Sequence, residues 1–260
     1  MVPDYPIYFW MIAGIAVVFV GIAKAGFGGG VGIVATPLLA LVISVSDAAA
    51  ILLPLLIVCD VFAVWHYRMG FHRRSIKLML PGAVIGIAIG ALFFGYFAQN
   101  ERMLQIGLGV LCLLFVVFQA TRAMILGVLA KRHPHAAEGV LMGAVSGFTS
   151  TLAHAGGPPA TIYLLPQQLE RSLFVGTTVI FFAAINQIKL IPYLGLGILG
   201  MEHLVTIAIL SPLSFVGVKL GIFFNQRFTD VWFNRIVYGI LFVSGIQLIM
   251  GKSVLLWLLG

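Results

Sequence analysis

Seven long apolar runs constrain this chain more than any other feature of its sequence. They cover 7–23, 48–64, 78–97, 103–120, 173–191, 203–224 and 231–250, and each holds at most one charged residue. Each is long enough, or nearly so, to cross a hydrocarbon layer of about 30 Å at about 1.5 Å per residue. Strand-like alternation is absent from the sequence, so helices must satisfy the backbone in lipid. The runs predict an all-α polytopic membrane protein.

Composition and charge agree with a membrane location. Apolar residues make up 61% of the 260 residues and charged residues 9%, whereas a soluble domain is about half apolar and a quarter charged. The net charge is +7. Because the basic residues are concentrated in short loops, they indicate membrane orientation and not nucleic-acid binding.

The sequence repeats itself at a constant spacing. Pro81, Gly86, Gly90, Phe93 and Phe97 recur 131 positions later as Pro212, Gly217, Gly221, Phe224 and Phe228. The Gly29-Gly30 pair has a counterpart in Gly156-Gly157, and Gly109 matches Gly239. We therefore predict one transmembrane domain over 1–260 that contains two repeats, 7–120 and 139–252, joined by a cytoplasmic loop at 121–138.

Each repeat opens with an interrupted helix pair that could be re-entrant or fully spanning. In the first, the apolar run breaks at 26–30 and resumes over 31–45; in the second, 139–153 breaks at 154–159 and resumes over 161–165. Three predicted spans follow each pair. Short apolar arms interrupted by Gly or Pro at matching positions of two halves indicate the binding site of a secondary transporter.

Lysine and arginine in the loops predict that the two repeats insert with opposite polarity. The loop with Arg68, Arg73, Arg74 and Lys77 should be cytoplasmic, whereas its repeat equivalent, 192–202, has neither residue type. Both termini would then be periplasmic.

The alternative treats each interrupted segment as one broken crossing and gives eight spans in two parallel repeats. That arrangement would place Arg171 and Arg227 on the periplasmic side, so inverted repeats are favoured.

Three segments carry a family resemblance. They are 26–32 (Gly-Phe-Gly-Gly-Gly-Val-Gly) with Pro37 following, 147–159 (Gly-Phe-Thr-Ser-Thr-Leu-Ala-His-Ala-Gly-Gly-Pro-Pro) leading into 162–165, and 173–178 (Leu-Phe-Val-Gly-Thr-Thr). In their order, spacing and pairing the chain resembles the sulfite exporter TauE/SafE family, also grouped as the toluene sulfonate uptake permeases. The resemblance covers nearly the whole chain. It implies transport of small sulfur oxyanions or organosulfonates across the bacterial inner membrane, with substrate and direction left open.

Candidate substrate-binding residues cluster at the two breaks. A break frees backbone N–H groups at the start of the following arm, and a helix amino end favours an anion. We expect an anion near the midplane between two bends. The candidates are Lys24, Gly28, Gly29, Gly30, Thr151, His154, Gly156, Gly157, Thr177 and Thr178. Lys24 could instead snorkel to the interface, and the threonine hydroxyls could bond the preceding helical turn.

Other polar residues inside the runs have a functional and a structural interpretation. Asp60 either pairs with a lysine or carries a proton, and His154 is the second candidate for proton coupling. Lys189, on the same span as Asn186, is either functional or near the outer interface. Lys219 is mid-span and has no counterpart charge in the first repeat. Gly86, Gly90, Gly217 and Gly221 are typical of close helix packing.

The sequence favours a transporter over two other classes. An intramembrane enzyme would need a nucleophile and base or a metal cluster, and no span has such a grouping; we predict no catalytic residue, no metal and no cofactor. A membrane assembly subunit would not need duplicated broken helices. No nucleotide-binding loop is present, which excludes ATP-driven transport within this chain. The expected partners are a small anion (sulfite, a sulfonate or a related species) and the lipid bilayer, with protons and a homo-oligomer left open.

Overall fold

The computed structural model describes residues 5–26, 32–129, 134–227 and 230–251. Within them the chain forms ten α-helices: α1 (Ile7–Gly26), α2 (Ala35–Ala40), α3 (Val45–Tyr67), α4 (Arg73–Phe97), α5 (Glu101–Leu129), α6 (Ala136–Ala153), α7 (Gly157–Leu164), α8 (Arg171–Gly195), α9 (Leu204–Arg227) and α10 (Asp230–Met250). Three short 3₁₀ segments, Gly32–Val34, Leu165–Gln167 and Met201–His203, complete the described secondary structure. The predicted all-α class is confirmed.

Six helical segments among the described residues are long and apolar enough to cross a membrane. They are Ile7–Gly26, Val45–Tyr67, Arg73–Phe97, Glu101–Thr121, Arg171–Gly195 and Met201–Asn225, with mean hydropathies from 1.6 to 2.4. The last predicted span corresponds to α10, in which Arg235–Met250 is a shorter apolar segment. Because each long segment matches the thickness of a hydrocarbon core, the chain is a multi-pass membrane protein.

Two helix boundaries differ most clearly from those that the sequence predicts. α5 continues to Leu129, into the stretch 121–138 that the sequence predicts as a loop. The residues that extend it are mostly apolar helix formers, so the helix need not end where the span does. The first returning arm, predicted over 31–45, is helical in α2 only over Ala35–Ala40. A new helix begins after Ser44, whose Oγ accepts the Asp47 N–H at 2.9 Å and caps α3.

Glycines bring α4 and α6 into close contact. A Cβ on Gly86 would collide with the carbonyl oxygen of Ala144, and one on Gly143 would collide with that of Met79. A Cβ on Gly90 would lie 2.9 Å from the Thr151 Cβ. The two backbones therefore pack at a distance that only glycine permits at these positions, as in small-residue contacts of membrane helices.

The same packing recurs between α1 and α9. A Cβ on Gly217 would lie 2.6 Å from the Val18 carbonyl oxygen, and one on Gly221 would lie 2.7 Å from that of Ile22. Real Cβ atoms essentially never approach backbone oxygens this closely. The packing role predicted for the two glycine pairs is confirmed.

The helix pairs are related by an exchange of the two halves of the chain. α4 packs against α6 and α1 against α9, while α3 packs against α8 and α5 against α10. Suppose that α1 to α5 are matched in order with α6 to α10. The α4–α6 pair then corresponds to the α9–α1 pair, and the α3–α8 and α5–α10 pairs each correspond to themselves. α3 and α8 run antiparallel, because the Gly70 carbonyl after α3 lies against Gly176 near the start of α8. α5 and α10 also run antiparallel, since Arg102 donates to the Leu248 carbonyl at 2.8 Å.

The bundle has two chemically different ends. The basic face is the end at which α3 is followed by α4, and it carries Arg68, Arg73, Arg74 and Lys77. The far face is the end at which α3 and α9 both begin. There the His203 Nε2 lies 3.3 Å from the Asp47 carboxylate. α3 and α9 therefore run parallel from the far face to the basic face.

Candidate functional site

The chain reverses direction sharply at the second break. α6 ends at Ala153, and His154 follows in the left-handed conformation with φ 51° and ψ 29°. The His154 N–H bonds to the Ser150 carbonyl at 3.0 Å, and the Ser146 Oγ donates to the Gly156 carbonyl at 2.6 Å. A left-handed non-glycine residue costs roughly 1–2 kcal/mol, so the surrounding contacts must hold His154 in this position.

Glycine is required where the returning chain touches α6. A Cβ on Gly156 would lie 2.7 Å from the Ser146 Oγ and 2.9 Å from the Phe182 ring. Gly157 begins α7, and Pro158 and Pro159 follow in its first turn, where a missing N–H breaks no helical bond. The bend is therefore fixed by the local sequence and by contact with α8.

A buried lysine contacts this bend. Lys189 on α8 is fully buried, and its Nζ lies 3.1 Å from the Ser150 carbonyl, 3.0 Å from the Ser150 Oγ and 2.9 Å from the His154 Nδ1. These three contacts, which define the Lys189 cluster of Lys189, Ser150 and His154, use all three ammonium donors. In the described part of the chain, Lys189 has no carboxylate partner. The cluster is thus a buried cation solvated only by neutral groups.

The histidine contacts fix its tautomer. The His154 Nδ1 accepts from the Lys189 ammonium, and the Nε2 lies 3.2 Å from the Ala49 carbonyl oxygen. Both contacts are satisfied together by a neutral imidazole with its proton on Nε2. A proton on Nδ1 would therefore require His154 to release Lys189.

A second buried cluster contains the intramembrane acid. One Asp60 oxygen lies 2.5 Å from the Lys24 Nζ, and the other accepts from the Asn186 Nδ2 at 2.8 Å. Lys24 also donates to the Leu56 carbonyl at 3.1 Å. We refer to Asp60, Lys24 and Asn186 as the Asp60 cluster. Of the two interpretations of Asp60, pairing with a lysine is the one observed.

A small cavity lies between the two clusters. Its volume is about 30 Å³, and it is lined by Val20, Lys24, Leu56, Ser150, His154, Phe182 and Asn186. Space of this size holds about two water molecules. Asn186 and Lys189 are three residues apart on α8, so they lie on the same side of that helix. The cavity is therefore lined by Lys24, which pairs with Asp60, and by Ser150 and His154, which contact Lys189.

The two clusters lie at different depths. Lys24 and Asp60 are near the ends of α1 and α3 that approach the basic face, where the Tyr67 hydroxyl donates to the Ala25 carbonyl at 2.9 Å. His154 contacts Ala49 in the second turn of α3, toward the far face. At about 1.5 Å per residue, Ala49 and Asp60 are separated by about 16 Å along α3, whereas Asn186 and Lys189 are separated by only about 4.5 Å along α8. The cavity thus has one cluster toward each face of the bundle.

The first returning arm meets the second bend. The Thr36 Oγ1 in α2 donates to the Ala153 carbonyl at 2.8 Å, and the Tyr193 hydroxyl donates to the Thr151 carbonyl at 2.7 Å. These bonds satisfy carbonyls that the end of α6 leaves without a helical partner. Three of the candidate glycines, Gly28, Gly29 and Gly30, lie outside the described residues.

The candidate threonines bond locally and are not among the residues that line the cavity. The Thr151 Oγ1 donates to the Gly147 carbonyl at 2.9 Å, and the Thr178 Oγ1 donates to the Val175 carbonyl at 2.8 Å. The Thr177 Oγ1 donates to Leu173 at 2.6 Å and accepts the His72 N–H at 2.8 Å, toward the basic face. The structure therefore brings Lys24, His154 and Gly156 to the cavity or its bend, but not these three hydroxyls.

Sequence reasoning left Ser150, Asn186 and Lys189 out of the candidate site. Asn186 and Lys189 carried a usable signal, because two polar residues three apart within an apolar span share one side of a helix and avoid lipid. Ser150 had the same signal as the three candidate threonines, a hydroxyl that could donate to an anion, but a hydroxyl inside a helix is commonly bonded to its own preceding turn.

A family model described as Sulfite exporter TauE/SafE matches residues 13–248. No curated protein and no solved structure gives a significant match. The match covers most of the 260 residues, including both breaks, five of the six long apolar helices and all but the first turns of the sixth, Ile7–Gly26. The chain belongs to the sulfite exporter TauE/SafE family, a family of membrane transporters.

Proposed function

We propose that this protein is a secondary transporter that exports a small sulfur oxyanion or an organosulfonate across the bacterial inner membrane. The observation that carries the proposal is Lys189, a fully buried lysine beside the cavity that has no carboxylate partner among the described residues. The family supplies the substrate class, since its name refers to sulfite export.

An anion in the cavity would compensate the charge of Lys189. A charge inside a membrane protein is costly unless it is paired, and it usually marks the path of an ion or substrate. An anion that enters a low-dielectric interior must in turn replace its lost water by hydrogen-bond donors. Lys189 and the Ser150 hydroxyl are such donors next to the cavity, and each could exchange a present contact for an anion oxygen.

The charge count favours a monoanion. With both lysines charged, His154 neutral and Asp60 ionised, the two clusters together carry one net positive charge. A sulfonate or hydrogensulfite carries one negative charge and would neutralise it. A dianion such as sulfite or sulfate would leave an excess negative charge unless a proton entered with it.

The observed arrangement corresponds to a closed state in this proposal. A cavity of about 30 Å³ cannot hold an anion of four or more heavy atoms together with water. Binding would therefore require the cluster side chains to separate or α3 and α8 to move apart. The two clusters, one toward each face, would take up the anion in turn as the cavity opened to either side.

We further propose that the repeats 7–120 and 139–252 are inverted. The exchange of helix pairs and the antiparallel contacts of α3 with α8 and α5 with α10 support this. Asp60 and Asn186, joined by a hydrogen bond, are 126 positions apart, close to the spacing of the matched glycines. Their contact would then lie near the pseudo-twofold axis.

Inversion predicts the side on which each loop is exposed. Cysteines introduced at Gly70 and His135 should be labelled only from the cytoplasm, and one at Met201 only from the periplasm, because the basic face should be cytoplasmic. Gly70 has open space around it and Met201 is 81% exposed, while the native Cys59 and Cys112 are buried. An impermeant maleimide on intact cells measures this. Labelling of position 70 from outside would contradict the proposed orientation.

The test of function is binding followed by flux. Purified protein should be stabilised against heat by sulfite or by a small sulfonate, but less by chloride at equal ionic strength. Proteoliposomes loaded with the best-bound anion should then release it faster than protein-free vesicles. If no sulfur anion shifts the melting temperature and none is released, the proposed substrate class is wrong.

Asp60 is our candidate for proton coupling. If the anion displaces Asp60 from Lys24, the freed carboxylate could take a proton, so flux in wild-type vesicles should respond to an imposed pH gradient. The Asp60→Asn protein should have lost that response. A monoanion leaving a negative-inside cell already gains about 2.3 kcal/mol per 100 mV, so flux itself should persist.

Two controls keep this experiment interpretable. Asp47→Asn makes the same change at the far face and should leave the pH response intact. The double variant Lys24→Met, Asp60→Asn removes both charges, so it avoids an unpaired buried lysine if Asp60→Asn alone folds poorly. Wild-type flux that ignores the pH gradient, or an Asp60→Asn protein that still follows it, would exclude Asp60 as the proton carrier.

A further inference from the structure

An exposed lysine lies within the membrane-spanning part of α9. Lys219 is eight residues before the end of the helix at Arg227, which is about 12 Å at about 1.5 Å per residue. Its side chain is exposed on the outside of the bundle, and its Nζ lies 4.5 Å from the centroid of the Phe215 ring. Among the described residues no carboxylate or other polar group contacts it. The central cavity does not involve this residue.

The ammonium of Lys219 points away from the nearer end of its helix. Phe215 is one turn closer to the far face, so the lysine leans back into the span, as helical side chains tend to do. A lysine facing hydrocarbon costs about 2.5–3.5 kcal/mol near the centre of a span, and an aromatic ring offsets only part of this. An anion that reached the ammonium would offset the remainder of this cost.

A second cation shares the same groove between α3 and α9. The Phe215 ring packs against Phe62 on α3, with the centroids 4.9 Å apart. One turn nearer the basic face, Trp65 is 72% exposed, and the Arg68 guanidinium lies 4.6 Å over its ring. Residues three apart are neighbours on a helix surface, so these five exposed residues follow one another along the outer side of α3 and α9 toward the basic face. We call this surface the α3–α9 groove.

We propose that the α3–α9 groove binds the headgroup of an anionic phospholipid in the leaflet next to the basic face. Once the Lys219 side chain turned toward the basic face, the phosphate would pair with Lys219 and Arg68, and the chains would cover Phe62 and Phe215. Two exposed cations complement an anionic headgroup, and an exposed tryptophan one turn from the end of a span is typical of the membrane interface. A second copy of this chain fits less well, because the deep acid Asp60 is buried and paired.

The test measures which lipid lies against Trp65. In a full-length protein with Trp10, Trp232 and Trp257 changed to phenylalanine, Trp65 is the remaining tryptophan. The protein is reconstituted in phosphatidylcholine vesicles that contain a small fraction of brominated phosphatidylglycerol or of brominated phosphatidylcholine. Quenching by the brominated phosphatidylglycerol should exceed that by the brominated phosphatidylcholine, with about fivefold enrichment per cation.

Matched variants separate a bound headgroup from general surface charge. Lys219→Gln should reduce the enrichment about fivefold, and Lys219→Arg should retain it. Lys77→Gln removes a cation from the same face on α4, outside the groove, and should change nothing. Equal quenching by both lipids, or an equal effect of Lys77→Gln, would overturn the proposal. So would a Lys219→Gln protein that melts earlier in pure phosphatidylcholine, because Lys219 would then act in folding and not in headgroup binding.

Discussion

Replacing Lys189 by methionine should weaken sulfur-anion binding by at least about thirtyfold, the lower end of the effect expected for a buried charge partner. Methionine keeps the length of the chain and removes the cation that the anion would meet. The protein should still fold, because a buried lysine solvated by neutral groups contributes little net stability. Isothermal titration with sulfite, or with the sulfonate that stabilises the protein most, measures the change in Kd.

The control for Lys189→Met is Lys77→Met, which removes an exposed cation from the first turns of α4. Its Kd and flux should match those of the wild type. An Asn186→Leu variant provides an intermediate case, since Asn186 lines the cavity and carries no charge. A Lys189→Met protein with unchanged affinity would show that the anion binds elsewhere and would remove the reason for assigning the site to this cavity.

Replacing Gly86 by leucine should prevent the protein from folding. The side chain would enter the space occupied by the Ala144 carbonyl and the Phe148 amide of α6, and neither backbone group can move without separating the two helices. Overpacking in a core typically costs about 1–3 kcal/mol, and a collision with backbone should reach or exceed the upper value. Size-exclusion profiles in mild detergent and melting curves measure the loss.

The matched control is Gly107→Leu on α5, because no atom lies within 4 Å of a Cβ built there. This variant should elute and melt like the wild type. A Gly86→Leu protein that also does so would mean that α4 and α6 can pack without the close glycine contact. Gly86→Ala should be destabilised as well, since the collision begins at the Cβ.

The sequence predicts the membrane class and the helix packing because both depend on local pattern. The apolar runs indicate the long helices, and the repeated glycines indicate close helix packing, which the structure has between α4 and α6 and between α1 and α9. The end of α5 was harder to predict, since the same residue types can continue a helix beyond the bilayer. Helix termini depend on packing and capping as well as on propensity.

The partners in the two buried clusters could not be predicted in the same way. Lys189 and His154 are 35 positions apart, and Asp60 and Asn186 are 126 apart, so each pair depends on how helices distant in sequence cross. The sequence suggested that Asp60 could pair with a lysine but not that Lys24 would supply it. Thr177 and Thr178 looked like anion donors, although a helical hydroxyl can always bond its own preceding turn.

The Asp60–Asn186 hydrogen bond has a consequence for the kinetics of the two directions. In the proposed repeats Asp60 and Asn186 would occupy matching positions, and because one is an acid and the other an amide, the two halves would differ in charge there. An anion arriving from the basic face would meet a lysine already neutralised by a carboxylate, whereas one arriving from the far face would meet Lys189 without a counter-ion. The inward-facing and outward-facing forms would therefore differ in apparent affinity. Such a carrier would work at unequal rates in its two directions under equal and opposite gradients, although the equilibrium distribution of the anion would be unchanged.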